Sequence, residues 1–328
     1  MLALAGRIRF RSRGGAIAEA GFKLLVAAAV GIATLVTQTV PAATAGAPVP
    51  TSVRSLVAPG AKVTLLARVG YAEGPLWLPD GHLIVSDVHG DTVWELDAAG
   101  TKSVFRRPSN VANGHALDAH GSVIEAEAGR GKTPGRIVKL AANGTATVLA
   151  DNYKGKPFIE PNDLIVKRDG TIWFTDPNLG LIQPPGTAVH GVYRLDPKTK
   201  VVTRLTKALN APNGIAFSPD QKTLYVTDFA GEGLVAFPIT ARQTLGPARR
   251  LQILGCDGIG VDERGDIWTT TCSSSLLVSN PAGKEIGEIA IPGTTTNLAW
   301  GGPQGKTLFI TTQEGRIYSL ALTVRETT

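Results

Sequence analysis

The sequence predicts an all-β chain folded as a six-bladed β-propeller, and three observations carry that prediction. A hairpin frame recurs six times, beginning near residues 71, 111, 160, 211, 255 and 294, and a period of roughly 40–50 residues is that of a propeller blade of three or four antiparallel strands. Each repeat also sets a carboxylate or carboxamide at one fixed place, eight residues before the turn position: Glu73 before Gly81, Asn113 before Gly121, Asn162 before Gly170, Asn213 before Gln221, Asp257 before Gly265 and Asn297 before Gly305. Finally, no long stretch carries apolar residues at a 3.6-residue period, which disfavours α/β alternatives.

The chain begins with a basic segment, an apolar run over 24–36 and the small-residue string Ala43-Thr44-Ala45. That order is that of an export signal with an A-x-A cleavage site, expected over 1–45. About 13 apolar residues are short for a membrane span; an uncleaved anchor is the alternative, and no second hydrophobic segment follows. Residues 46–60 read as a loose linker, and 61–328 as the propeller domain. An isolated strand over 63–69 has no hairpin partner beside it in sequence. The clearest repeat is 160–177, where an apolar strand, Leu164–Val166, meets Arg168-Asp169-Gly170 and returns over 171–175. Aspartate followed by glycine suits a tight hairpin turn. Further β-like segments are Thr92–Leu96, Arg136–Leu140 with 146–149, 191–195 with 201–205, and Gly233–Pro238. The last repeat, with strands at 298–300, 307–311 and 316–320, lacks an outer strand. The orphan at 63–69 is expected to supply it and close the ring, which removes an exposed edge.

Composition excludes some classes of function. With 38 Gly, 21 Pro and 18% charged residues the chain is a turn-rich globule. The formal charge of +6 would fit a nucleic-acid partner, but residues 1–45 hold a net +4 of it and the remainder only +2. No nucleic-acid partner is therefore expected, nor stable membrane insertion once the leader is cleaved. The mature protein should be a monomer, periplasmic or secreted.

In a propeller the innermost strands run side by side around a central channel, so one strand position repeated in every blade forms a ring. Glu73, Asn113, Asn162, Asn213, Asp257 and Asn297 should converge there. A ring of oxygen donors without clustered His or Cys suits a hard cation, Ca²⁺ or Mg²⁺, rather than a zinc site of His and Cys. Asparagine ligates through a neutral carbonyl, so two carboxylates and several Asn can hold a divalent ion without excess negative charge. An unbroken register would place Asp87 opposite Glu73, Glu127 opposite Asn113 and Asp176 opposite Asn162, with Asp228 near Asn213. These acids would orient the ring amides or contact substrate. His115 could line the channel as a base or as plain wall. Asp169, Asp220 and Asp262 read as turn residues, and Trp77, Trp173 and Trp268 as blade core.

The same register sets Cys256 opposite Cys272, the only two cysteines, around the turn at 263–265. Facing strand residues have Cα atoms ~4.5–5.5 Å apart, within reach of a disulfide. Two buried free thiols are the alternative.

At these residues the sequence resembles the gluconolactonase and regucalcin (senescence-marker-protein) family. The strings are Glu73-Gly-Pro-Leu-Trp77, Arg107-Pro-Ser-Asn-Val-Ala-Asn-Gly114, Pro161-Asn-Asp163 with Trp173-Phe-Thr-Asp-Pro177, Pro212-Asn-Gly-Ile-Ala-Phe-Ser-Pro-Asp220, Leu224-Tyr-Val-Thr-Asp228 and Asp257-Gly. The resemblance covers about 70–320. It implies a six-bladed propeller with a central divalent cation, calcium first and magnesium or zinc as alternatives. The implied metal ligands are Glu73, Asn162 or its bound water, Asn213 and Asp257. Hydrolysis of a sugar lactone follows from it, with Asn113 and Asn162 holding substrate; in such a reaction Asp257 or an adjacent acid would draw a proton from water, and Glu127 and Asp176, by their register, are further candidates to contact substrate. Phe158-Ile159-Glu160 and Ala128-Gly129-Arg130-Gly131-Lys132 depart from the family pattern near the expected substrate mouth. A phosphotriesterase-like hydrolase on the same site, or a non-catalytic exported propeller that binds a ligand, are the alternatives.

Overall fold

The computed structural model describes residues 53–180, 190–231 and 233–327; the expected leader, 1–45, and the first part of the linker lie outside them. Among the described residues, six four-stranded antiparallel sheets follow one another along the chain. Their inner strands are Ala72–Trp77, Ala112–Leu117, Leu164–Val166, Pro212–Phe217, Ile259–Val261 and Thr295–Gly301. Each inner strand touches those of its two neighbours and the first touches the last, so the six enclose one channel. This is the six-bladed propeller the repeat predicts. Among the described residues no helix is long and apolar enough to cross a membrane.

Alternation along the strands explains why the blades stack. Successive side chains point to opposite faces of a sheet, and on the second strand of blade 3 Trp173 packs toward blade 4 while Phe174 packs toward blade 2. Both are fully buried. A separate apolar cluster fills each of the six interfaces between neighbouring blades. Trp268 is core as expected, whereas Trp77 is half-buried and stacks on Phe309 at 5.4 Å beside the channel. Asp262 is more than a turn residue: it accepts the N–H groups of Arg264 and Asp266 and also the indole N–H of buried Trp268.

Closure follows the expected route. Thr64–Arg68 is the outer strand of blade 6, antiparallel to Arg316–Ala321, with Thr64 opposite Ser319 and Arg68 opposite Arg316. The expectation of a loose linker from 46 to 60 fails in its second half. Val53, Leu56 and Val57 are buried in the cluster between blades 5 and 6, Ala58 N–H donates to Ala321 O, and Thr323 N–H donates to Leu56 O. Proline and glycine gave this segment the look of a linker; three apolar side chains with an interface to fill decided otherwise. The C-terminal tail continues the seam beneath blade 5, where Thr327 N–H donates to Val261 O and Glu263 N–H to Arg325 O.

The two cysteines form a disulfide, with Cα atoms 5.7 Å apart. It ties the entry of blade 5, one residue before Asp257, to the end of that blade's second strand.

Candidate metal centre in the channel

The six frame residues sit at the heads of the inner strands, and local backbone chemistry aims them. In blades 1, 2, 4 and 6 the pairing with the second strand slips there, so that two inner-strand residues oppose one: 74–75, 113–114, 213–214 and 296–297 are the extra pairs. Such a bulge kinks a strand and re-aims its side chains. It also corrects the expected facing pairs. Ala72, not Glu73, opposes Asp87, and Ala112, not Asn113, opposes Glu127. A rule that assumes unbroken register could not see the slip.

Glycine follows four of the frame residues because the neighbouring blade leaves no room for a side chain. A Cβ on Gly74, which has φ +47°, would overlap Asn113 O. One on Gly258 would overlap the Asn297 carboxamide, and Gly114 and Gly214 meet Asp163 and Asp257 O in the same way. Hydroxyls on the second strands fix the spacing from the other side. Ser86 donates to Asn113 O (2.8 Å), Thr175 to Asn213 O (2.6 Å), Thr227 to Asp257 O (2.5 Å) and Thr270 to Thr296 O (3.0 Å). Blades 1, 3 and 4 thus hold the next blade's frame residue by its own carbonyl, and blade 5 holds Thr296, the residue before Asn297. The signal for these struts stood in the sequence as a Ser or Thr before the acid that ends the second strand, Ser86-Asp87, Thr175-Asp176 and Thr227-Asp228.

The side chains they present are buried and short of partners. Glu73, Asn113, Asn213, Asp257 and Asn297 are each at most 8% exposed, and Asn162 is half-buried. The Oδ1 atoms of Asn113 and Asn213 are buried with no hydrogen-bond partner. Buried carbonyl oxygens are nearly always paired, so two orphans in one ring are suited to bonding a group from outside the chain. Asn297 departs from the expected ring: its Oδ1 accepts Leu298 N–H (2.8 Å) and its Nδ2 donates to Glu73 Oε2 (3.2 Å), which makes it a support for Glu73.

Electrostatics agree. Burial raises the carboxyl pKa of Glu73, helped by Asp163; burial raises that of Asp257 well above the usual carboxylate range, with the charges of Glu73 and Asp163 adding to it. The Asn213 amide hydrogen-bonds Asp257 and partly offsets the rise. Asp163, which sequence reasoning passed over as a neighbour of Asn162, is pushed up to about 7 by burial, with His115 acting the other way. Three acids at close quarters with no basic side chain among the main influences on Glu73 and Asp257 would, once ionised, hold an excess of negative charge that a cation would neutralise. Oxygen donors of this kind, two carboxylates with carboxamides, fit a hard divalent ion. A different group, Asp80, His82 and Glu95, brings three potential ligand atoms within 4.8 Å of one another, but at the opposite end of blade 1 and partly exposed.

The acids on the second strands act as struts. Asp87 accepts the N–H groups of Gly70, Tyr71 and Gly90, Asp176 those of Ile159 and Glu160, and Asp228 those of Asn210 and Ala211. In each case the carboxylate clamps the chain as it enters the inner strand. Burial raises Asp176 to about 8 against the pull of those N–H groups. Glu127, fully buried, takes Asn110 Nδ2 (2.7 Å), Arg106 Nη2 (2.8 Å) and Arg136 Nε. His115 is channel wall with both ring nitrogens engaged, Nδ1 to Gly74 O (2.6 Å) and Nε2 to Glu125 Oε2 (3.1 Å). On one side of the ring lies a cavity of about 630 Å³, bordered by Asp163, Asn297, Trp77, Trp300 and the tail residues Glu326 and Thr327.

Of the two departures from the family pattern, one is interior. Phe158 packs against Phe174 and Tyr193 at 5.2 and 5.5 Å, and Glu160 accepts Gly180 N–H. The other keeps Arg130 exposed and paired with Asp91 (3.0 Å).

Residues 71–314 match the SMP-30/gluconolactonase/LRE-like region, and the chain belongs to that family. Among similar proteins, the gluconolactonase of Zymomonas mobilis is 29% identical over 282 residues, covering 75% of this chain and 77% of that one. The pentonolactonase of Haloferax volcanii is 26% identical over 253 residues, 74% and 81% of the two chains. Among solved structures, a gluconolactonase of Xanthomonas campestris superposes with a TM-score of 0.76 at 33% identity, over 86% of this chain and 98% of the other. A calcium-binding regucalcin of Agrobacterium tumefaciens, at 23% identity and a TM-score of 0.65 over 80% and 96%, shares the fold.

Proposed function

We propose that this member of the SMP-30/gluconolactonase/LRE-like family is a hydrolase of lactones that works with a divalent cation in the channel ring, calcium in the first place. Glu73, Asn213 and Asp257 would hold the ion, with Asn162 as a fourth ligand directly or through water. The observation that carries this reading is the pair of orphaned carboxamide oxygens, Asn113 Oδ1 and Asn213 Oδ1, in the ring that also buries Glu73 and Asp257. A bare scaffold would not keep unpaired polar atoms beside two carboxylates, because each such group costs about 1–3 kcal/mol. The lactonase relatives support the reaction type, and the calcium-binding regucalcin supports the ion.

When bound, the ion supplies Lewis acidity, polarising a carbonyl and stabilising the negative charge that develops on its oxygen. The chain's own residues do the rest. Asp257, as a carboxylate, accepts the proton of the attacking water. The Asn213 amide donates to Asp257 and holds it in line. Asn297 does the same for Glu73. Asn113 and Asn162 are free to hold substrate, while Glu127 and Asp176 keep their strands in place behind them. An exported location fits the disulfide, since such bonds persist in oxidising compartments. The experiment is a panel of lactones and aryl esters with and without chelator. Turnover of a lactone that chelator abolishes and calcium restores is the expected result; turnover indifferent to chelator would remove the cation from the reaction.

A further inference from the structure

A tyrosine at the mouth of the ring has no part in the chemistry above, and its setting gives it one. Tyr71 stands two residues before Glu73, at the entry of blade 1. Its main chain is clamped from two sides: its N–H donates to Asp87 Oδ1 (3.0 Å) and its carbonyl accepts Val88 N–H (3.0 Å). Its side chain rests on Val88, Val111 and Ala128, a small apolar cluster apart from the six interblade cores. Val111 holds its place there with φ +57°, a conformation that strains a β-branched residue. Asp91 keeps it so by accepting Val111 N–H (2.8 Å) and Ser109 N–H (3.1 Å). The exposed ring of His89 packs against the phenol at 4.7 Å. The hydroxyl hydrogen-bonds the side chain of Gln313 in the neighbouring blade 6 and lies within electrostatic reach of Asp257 and Glu73.

We propose that Tyr71 is a substrate-contacting residue of this site, whose hydroxyl binds a hydroxyl substituent on the lactone ring. The proposal rests on the lactonase reading. A phenol both donates and accepts. Whichever way the Gln313 amide is turned, it uses one of those capacities and leaves the other, and an alcohol can satisfy either. An unsubstituted lactone offers only its two ester oxygens, at the reacting end. The contact therefore discriminates between hydroxylated and bare lactones, with the Tyr71 and His89 rings framing the mouth at that end of the substrate.

The test compares Tyr71→Phe with wild type on glucono-1,5-lactone and on δ-valerolactone, which share a six-membered ring and differ in hydroxyls. Loss of one hydrogen bond should raise KM for glucono-1,5-lactone about tenfold while kcat stays within about threefold. KM for δ-valerolactone and calcium affinity by calorimetry should stay within about twofold. Gln313→Ala, at an exposed position, should raise KM for glucono-1,5-lactone in the same direction by a smaller factor and serves if Tyr71→Phe folds poorly. Equal effects on the two lactones, no effect on either, or weakened calcium binding in Tyr71→Phe would overturn the assignment while leaving the lactonase reading intact. A wild-type protein that hydrolyses neither lactone would overturn the reading and the assignment with it.

Discussion

The channel ring and the seam that closes blade 6 are both assembled from residues far apart in sequence, yet they are built on opposite principles. At the seam, Val53, Leu56 and Val57 join Leu320, Leu322 and Val324 in one apolar cluster, all at most 6% exposed, and the main-chain groups of the two ends pair with each other. At the ring, acids are buried beside acids and two carboxamide oxygens are left without partners. Satisfied apolar surface stabilises a fold, while unsatisfied polar groups cost stability and persist where something else binds them. The seam should therefore govern whether the propeller stands, and the ring what it does.

The largest effect is expected from breaking the seam. Removing 53–68 strips the outer strand of blade 6 and three buried side chains, so soluble monomer should be lost, whereas removal of 1–52 should leave thermal stability and hydrolysis unchanged. Size-exclusion chromatography and thermal unfolding decide it, and equal behaviour of the two truncations would refute the role of the seam. A finer cut is Leu56→Ala, which should cost about 2–5 kcal/mol in denaturant unfolding, by lost burial and the cavity left behind, without weakening calcium binding.

The disulfide sharpens the contrast because it is a staple set beside the ring. By the loop-entropy model, closing a loop of this length is worth roughly 3 kcal/mol. Replacing both cysteines by serine should lower stability by about that amount, and should also weaken calcium binding, since the bond anchors the main chain next to Asp257. Stability lost with calcium affinity untouched would show that the bond serves the fold alone.

The smallest effect is a slope. Glu73, Asp163, Asp176 and Asp257 all have folded pKa values raised by burial, to about 7 for Asp163 and about 8 for Asp176. Between the usual carboxylate range and pH 8 the folded state then binds more protons than the unfolded one. Stability of the metal-free protein should fall as pH rises across that window. Saturating calcium should flatten the fall, because it binds the deprotonated ring and adds stability by linkage. Melting temperatures from pH 5 to 8 in chelator and in calcium measure both slopes, and a metal-free protein that gains stability toward pH 8 would contradict the raised values.

How much of this was legible in the sequence follows the same division. The fixed eight-residue spacing gave the blade count, the frame residues and the cysteine pair, and a last repeat short of one strand gave the closing strand, because period and register are local properties. The bulges at 74–75 and 113–114 were not legible, since a slip of one residue depends on how closely the next blade approaches. That slip moved Asp87 and Glu127 away from the partners expected of them. Asn297 carried the right spacing, yet its amide turned to Glu73, a choice only the neighbouring blade could impose. Residues 53–60 misled by composition, although Val53, Leu56 and Val57 stood in plain view among the prolines and glycines.

The central claim is that one ring binds the ion and carries the reaction while the fold stands apart from it. Calcium titration calorimetry and lactone hydrolysis on Asp257→Ala, with thermal unfolding in chelator as control, test it most directly. The account predicts that calcium binding and hydrolysis disappear together while the metal-free protein melts no lower than wild type, because a buried charge crowded by Glu73 and Asp163 has been removed. An Asp257→Ala protein that keeps wild-type calcium affinity would contradict it.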